Sequence, residues 1–119
     1  MGVDVDPKAA ALLLELLSRR KWAPVVLGVL DQAEEPLRFG EVHRRIDQIS
    51  AHILNHTLTS LCRDGLVVRR AYDERPARVE YSVSELGRSF CEAFDGLLVW
   101  AGRHAADVEA ARQRFDEQQ

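Results

Sequence analysis

Residues 38–88 read RFGEVHRRIDQISAHILNHTLTSLCRDGLVVRRAYDERPARVEYSVSELGR. Phe39, Val42 and Ile46 recur at i, i+3 and i+7, which predicts a short helix from Phe39 to Ile46 with one apolar face. Asp47-Gln48 then turns the chain. Ser50 suits an N-cap, and the helix after it is expected to run to about Asp64. Its expected buried stripe is Ile53, Leu54, Thr57, Leu58 and Leu61, while the opposite face carries His52, Asn55, His56, Thr59 and Arg63. Gly65 fits the left-handed position just past a helix end. Beyond it the period changes to two. Leu66–Tyr72 and Arg78–Ser84 read as strands, with Val79, Tyr81 and Val83 alternating against Arg78, Glu80 and Ser82. Asp73 to Ala77 form a five-residue loop between them. Two helices followed by a hairpin make a winged helix-turn-helix, mainly α with a small β-hairpin wing. That arrangement can set one helix in a DNA major groove and a loop against the flanking backbone.

Upstream, Asp6-Pro7 is a helix start, because Asp can accept from orphan amides and proline is tolerated at the first helical position. The run AAALLLELL over residues 9–17 is apolar nearly all round, so it needs cover on more than one side. In a small domain a second subunit is the expected cover. Trp22 introduces another helix, Ala23 to Gln32, with Pro24 in its first turn. Glu34-Glu35-Pro36 marks a loop and Leu37-Arg38 a short edge strand. Downstream, Ser84 caps a long final helix. Its residues Leu86, Phe90, Ala93, Leu97, Trp100, Val108, Ala111 and Phe115 fall at threes and fours, with His104 in the one gap, close to a heptad seam. The expected organisation is a single winged-helix domain over 1–119: a dimerisation helix at 7–20, the core at 22–84, a second dimerisation helix at 85–112 and a frayed tail at 113–119. Gly102 marks the expected bend or break in the last helix.

A chain of 119 residues forms one domain, and its 46% hydrophobic content is ordinary for a globular fold. No apolar run approaches the ~20 residues of a membrane helix. The acidic start MGVDVDPK lacks the order of a secretory signal, and Cys62 and Cys91 make neither a disulfide framework nor a CxxC pair. A cytoplasmic, nucleoid-associated protein is expected. The net charge of −3 argues against indiscriminate nucleic-acid binding, but its distribution matters more. Residues 38–81 hold eight arginines against six acids, whereas 1–37 and 82–119 are both acidic in balance.

The face His52, Asn55, His56 and Thr59 has two readings: a solvated helix surface, or a reading surface in which Asn pairs with adenine while His and Thr meet guanine or a thymine methyl. Its position between a helix pair and a wing favours the second. Ser50 can cap its helix and bond a phosphate together. Arg75 and Arg78 flank the wing and Arg38 precedes the first helix of the pair, where guanidinium groups reach phosphate or a narrow minor groove. The alternative for Arg78 is a pairing with Glu80 or Asp73. His52 and His56 have metal-ligand spacing but no third ligand nearby, so neither metal nor cofactor is expected. Cys62 and Cys91 read as packing residues rather than reactive thiols. Trp22, Phe90, Phe94, Trp100 and Tyr72 serve either as core or as the lining of an apolar pocket that admits a small aromatic effector. No nucleophile–base pair or phosphate loop points to an enzyme. The competing non-enzymatic reading is a winged-helix protein–protein interaction module with little DNA affinity.

Lys21-Trp22, Arg38-Phe39-Gly40-Glu41, Ile49-Ser50, Leu54, Leu58, Leu61, Asp64-Gly65-Leu66-Val67, Arg78-Val79-Glu80-Tyr81 and Glu85-Leu86-Gly87-Arg88, in that order and spacing, resemble the HxlR-type family of bacterial winged helix-turn-helix transcriptional regulators. The resemblance spans residues 7–104. It implies a homodimer built from the first and last helices, binding double-stranded DNA at a pseudo-palindromic operator and regulating a nearby gene, with repression the expected sign. Two departures stand out. His52, His56, Thr57 and Thr59 occupy positions where longer basic or amide side chains are common in the family. Thiol-sensing members carry a cysteine near the N-terminus, whereas here the first is Cys62.

Overall fold

The structure is a computed structural model that describes residues 5–19 and 21–119. Helix α1 (Pro7–Leu14) starts where Asp6 accepts the amide of Lys8 at 3.1 Å. A π-helical turn, Glu15–Arg19, takes over from it, so the first helix is not one regular α-helix over 7–20, and Arg20 lies outside the described residues. Then come α2 (Ala23–Gln32), β1 (Leu37–Arg38), α3 (Phe39–Arg45), α4 (Ala51–Arg63), β2 (Val67–Tyr72), β3 (Arg78–Val83) and α5 (Glu85–Glu117). The sheet is antiparallel in the order β1-β3-β2, with Leu37 opposite Tyr81 and Tyr72 opposite Arg78. The short edge strand and the five-residue wing loop therefore stand where the alternation puts them.

The core is the meeting of α2, α3 and α4 over the sheet. Val26, Leu27, Val42, Leu54, Leu58 and Leu61 are fully buried, and Val79, Tyr81 and Val83 close it from β3. Ile53 leaves the expected stripe and is 39% exposed. The stripe is centred on Leu54, Thr57, Leu58 and Leu61, so Ile53 sits at its edge, in the first turn.

Two local devices fix the sheet against the helices. Gly65, at φ +78°, ends α4 by donating to the Cys62 carbonyl at 3.1 Å, and Leu66 donates to Leu61 at 2.9 Å. This is a Schellman closure, which favours glycine because its backbone is left-handed. Ser84 then donates its hydroxyl to the Gly65 carbonyl at 2.6 Å and accepts the Gly87 amide at 3.0 Å. One side chain joins the end of α4 to the start of α5. Gly87 is required there, because a Cβ would collide with the Leu66 carbonyl and the Val83 side chain.

Helix α5 continues without a break to Glu117, through Gly102 and past the boundary expected at 112. Gly102 has no neighbour that forces a bend, and the 113–117 segment keeps its helical bonds instead of fraying. A glycine costs a helix about 1 kcal/mol, too little to interrupt 33 residues of favourable sequence. The molecule is consequently 64 Å long in one direction and 24 Å thick in another.

Candidate nucleic-acid interface

Helix α4 buries Leu54, Thr57, Leu58 and Leu61 and turns His52, Asn55, His56 and Thr59 to solvent. The exposed Ile53 joins this face, an apolar side chain that the periodicity assigned to the core. Ser50 accepts the Ile53 amide at 3.0 Å and so caps the helix; the amides of Ala51 and His52 lie in the first turn, where no intrahelical acceptor precedes them.

The turn before α4 is held by a residue the sequence reading passed over. His43 Nε2 donates to the Ile49 carbonyl at 2.9 Å, and its ring lies 6.0 Å from that of Phe39. Between them Gln48 has φ 67°, the left-handed region in which a side chain is strained. At the start of α3 the Glu41 carboxylate accepts the Arg38 amide at 2.9 Å. The Arg38 side chain is exposed, opposite Glu80 in the register of β1 and β3.

The wing sorts its arginines into two kinds. Arg78 donates to Glu74 at 3.0 Å, lies 3.8 Å from Glu80, and stacks its guanidinium 3.8 Å from the centroid of Tyr72. Its Nε is buried without a hydrogen-bond partner. Arg78 thus takes the pairing alternative, with Glu74 and Glu80 as the acids rather than Asp73: Glu74 lies four residues back in the loop, Glu80 two residues on along β3, and the register sets Tyr72 opposite. Arg70 covers the same tyrosine at 4.8 Å, and among the described residues neither it nor Arg75 at the tip makes an ion pair. Arg70 was missed by the sequence reading; its signal was the alternation 70–72 on the outer face of β2.

A groove of about 680 Å³ lies between α2 and α5. Phe90 and Phe94 line it, with Val25, Val29, Leu98, Asp31 and Asp95. Trp22 and Trp100 do not. Trp22 packs against the core, and Trp100 is 57% exposed beside His104, six residues and about 120° of helix rotation beyond Phe94. Tyr72 is committed to the wing. Burial raises the Cys62 thiol above its ordinary range, although Arg69 pulls the other way. Cys91 is pushed up to about 11, by burial first and then by Asp31 and Asp95. Both shifts disfavour the thiolate, the nucleophilic form. No group of three His, Cys, Asp or Glu residues able to hold a metal comes together among the described residues, and no helix there is long and apolar enough to cross a membrane.

Known proteins bear on this geometry. Residues 17–109 match the model of the HxlR-like helix-turn-helix family. An uncharacterised HTH-type transcriptional regulator of Methanothermobacter thermautotrophicus is 36% identical over 94 residues, covering 79% of this chain and 70% of that one. The HTH-type regulator YkvN of Bacillus subtilis is 39% identical over 85 residues, 71% of this chain and 70% of its own. Among solved structures, the reduced form of the transcriptional regulator YodB from B. subtilis superposes with a TM-score of 0.71 at 28% identity, covering 82% of this chain and 92% of that one. The chain belongs to the HxlR-like helix-turn-helix family and is a DNA-binding transcriptional regulator, not an enzyme.

Proposed function

We propose that the protein binds a pseudo-palindromic operator as a homodimer, one α4 per half-site, and represses the adjacent gene from there. The observation that carries this reading is the exposed face of α4 on a helix whose other side is wholly committed to the core. Asn55 is suited to adenine, His52, His56 and Thr59 to guanine or thymine, and Ile53 to a thymine methyl. Ser50 and the first amides of α4 hold a phosphate, and Arg38, Arg70 and Arg75 hold flanking phosphates. Arg78 acts through Tyr72, whose ring it shares with Arg70.

Two copies are needed because α1 buries none of its apolar residues within the chain and α5 leaves Leu97, Trp100 and Phe115 in solvent. The groove between α2 and α5 serves a small aromatic effector, with Phe90 and Phe94 as its walls. The site of action is the nucleoid, in the cytoplasm. Titration of the upstream intergenic duplex at several salt concentrations tests the reading. A steep salt slope and one protected site with two related halves support it; no binding at low salt overturns it in favour of a protein-interaction module. A promoter fusion reports the sign.

A further inference from the structure

We infer that the groove between α2 and α5 binds a hydrophobic organic cation: an aromatic or branched apolar body carrying an ammonium or phosphonium centre. This rests on the reading of the groove as an effector site and specifies the ligand's charge.

Its walls are aromatic and aliphatic. Phe90 and Phe94 stack with centroids 5.7 Å apart and planes 17° from parallel, and both line the cavity. Each ring keeps one face outside the stack, and a free phenyl face attracts a cation that has shed its water. The charged lining is Asp31, Asp95 and Lys21. Asp31 accepts from Arg88 Nε at 3.2 Å, whereas Asp95 makes no ion pair among the described residues. Lys21 is exposed, and its ammonium lies 5.8 Å from the ring of Trp22, which is not part of the lining.

Cys91 lines the groove beside them, and both carboxylates act on its thiol in the raising direction. With Asp31 paired to Arg88 and the Lys21 ammonium beside Trp22, outside the lining, Asp95 is the carboxylate left to meet a ligand's charge. An anion would face that carboxylate, and a neutral molecule would leave it without a partner. The volume, about 680 Å³, suits a ligand of drug-like size.

Tetraphenylphosphonium and tetraphenylborate share one shape and differ in sign, so they separate charge from size. Each is titrated into the full chain by calorimetry. The phosphonium is expected to bind at least about tenfold more tightly than the borate, and Asp95→Asn to remove most of that preference. Gly28 supplies a blocking control. It lines the groove, and a Cβ there meets nothing within 4 Å, so the side chain of Gly28→Leu starts out into the open space of the groove. Binding of the phosphonium that is lost in Gly28→Leu supports the proposal. Equal or tighter binding of the borate overturns the charge preference and leaves the effector site standing. Binding of neither ion overturns both. So does phosphonium binding that survives Gly28→Leu, or a Gly28→Leu chain that turns monomeric without the wild type binding either ion, since the groove would then be a subunit contact.

Discussion

Helices α4 and α1 solve opposite problems with the same backbone. Both begin at a polar cap, Ser50 and Asp6. α4 then puts all its burial on one side, against the chain's own core, and leaves a polar face free. α1 is apolar nearly throughout, yet none of its residues is buried in the single chain. The first arrangement completes a reading head within one copy. The second leaves the ends of the molecule dependent on something outside it. Cap and propensity form the helix in either case; the phase of its apolar residues decides whether it belongs to the fold or to an assembly.

That contrast breaks most visibly at the ends. Leu13→Glu combined with Leu97→Glu should convert the protein wholly to monomer in sedimentation velocity while its circular dichroism persists, because both side chains are about half exposed in the single chain. A variant that stays dimeric removes α1 and α5 from the interface. In α4 the same logic predicts a cost to the fold itself. Leu58→Ala should cost about 3 kcal/mol in a urea melt, since Leu58 is wholly buried. A cost below about 1 kcal/mol would deny α4 its place at the centre of the core. On the outer face of α4, Asn55→Ala should leave the melt unchanged and weaken operator binding by about tenfold or more, equivalent to roughly 1–3 kcal/mol. Unchanged affinity and footprint would return that face to solvent.

Two smaller effects sharpen the comparison. Gln48→Gly should stabilise the chain by about 1 kcal/mol, because it relieves a left-handed side chain in the turn before α4. No gain would mean that His43 and Ile49 already offset the strain. In the wing, Arg70→Ala should lower the salt slope of DNA binding by about one, and Arg78→Ala by less, because the Arg78 charge is shared with Glu74 and Glu80. Equal slopes for the two would erase the distinction between them.

What was legible in the sequence was whatever is set locally. The caps at Asp6, Ser50 and Ser84, the closure at Gly65 and the alternation of β3 depend on a few neighbouring residues, and all stand in the structure. The exceptions depend on phase or on distant partners. Ile53 fits the i, i+4 pattern with Thr57, but the burial centre lies one row away. Trp100 shares a seam with Phe90 in a heptad count, yet the groove is formed where α5 crosses α2, on another side of the helix. Arg78 carried two readings in the sequence, and only the structure shows its guanidinium between Glu74 of the loop and Glu80 of its own strand, with Tyr72 opposite it in the register. His43 reaches six residues along the chain to the Ile49 carbonyl, and no short motif announces that bond.

The hydroxyl of Ser84 is, in mechanical terms, a fulcrum. From it α5 extends 33 residues, about 50 Å of rigid lever at 1.5 Å per residue. The short arm is the bond to the Gly65 carbonyl, at the very end of α4. A rotation of 5° about that point corresponds to a sweep of about 4 Å at the far end of the lever. The conversion also runs backwards. A shift of about 4 Å imposed at the far end of α5 corresponds to a tilt of only about 5° where Ser84 holds the end of α4.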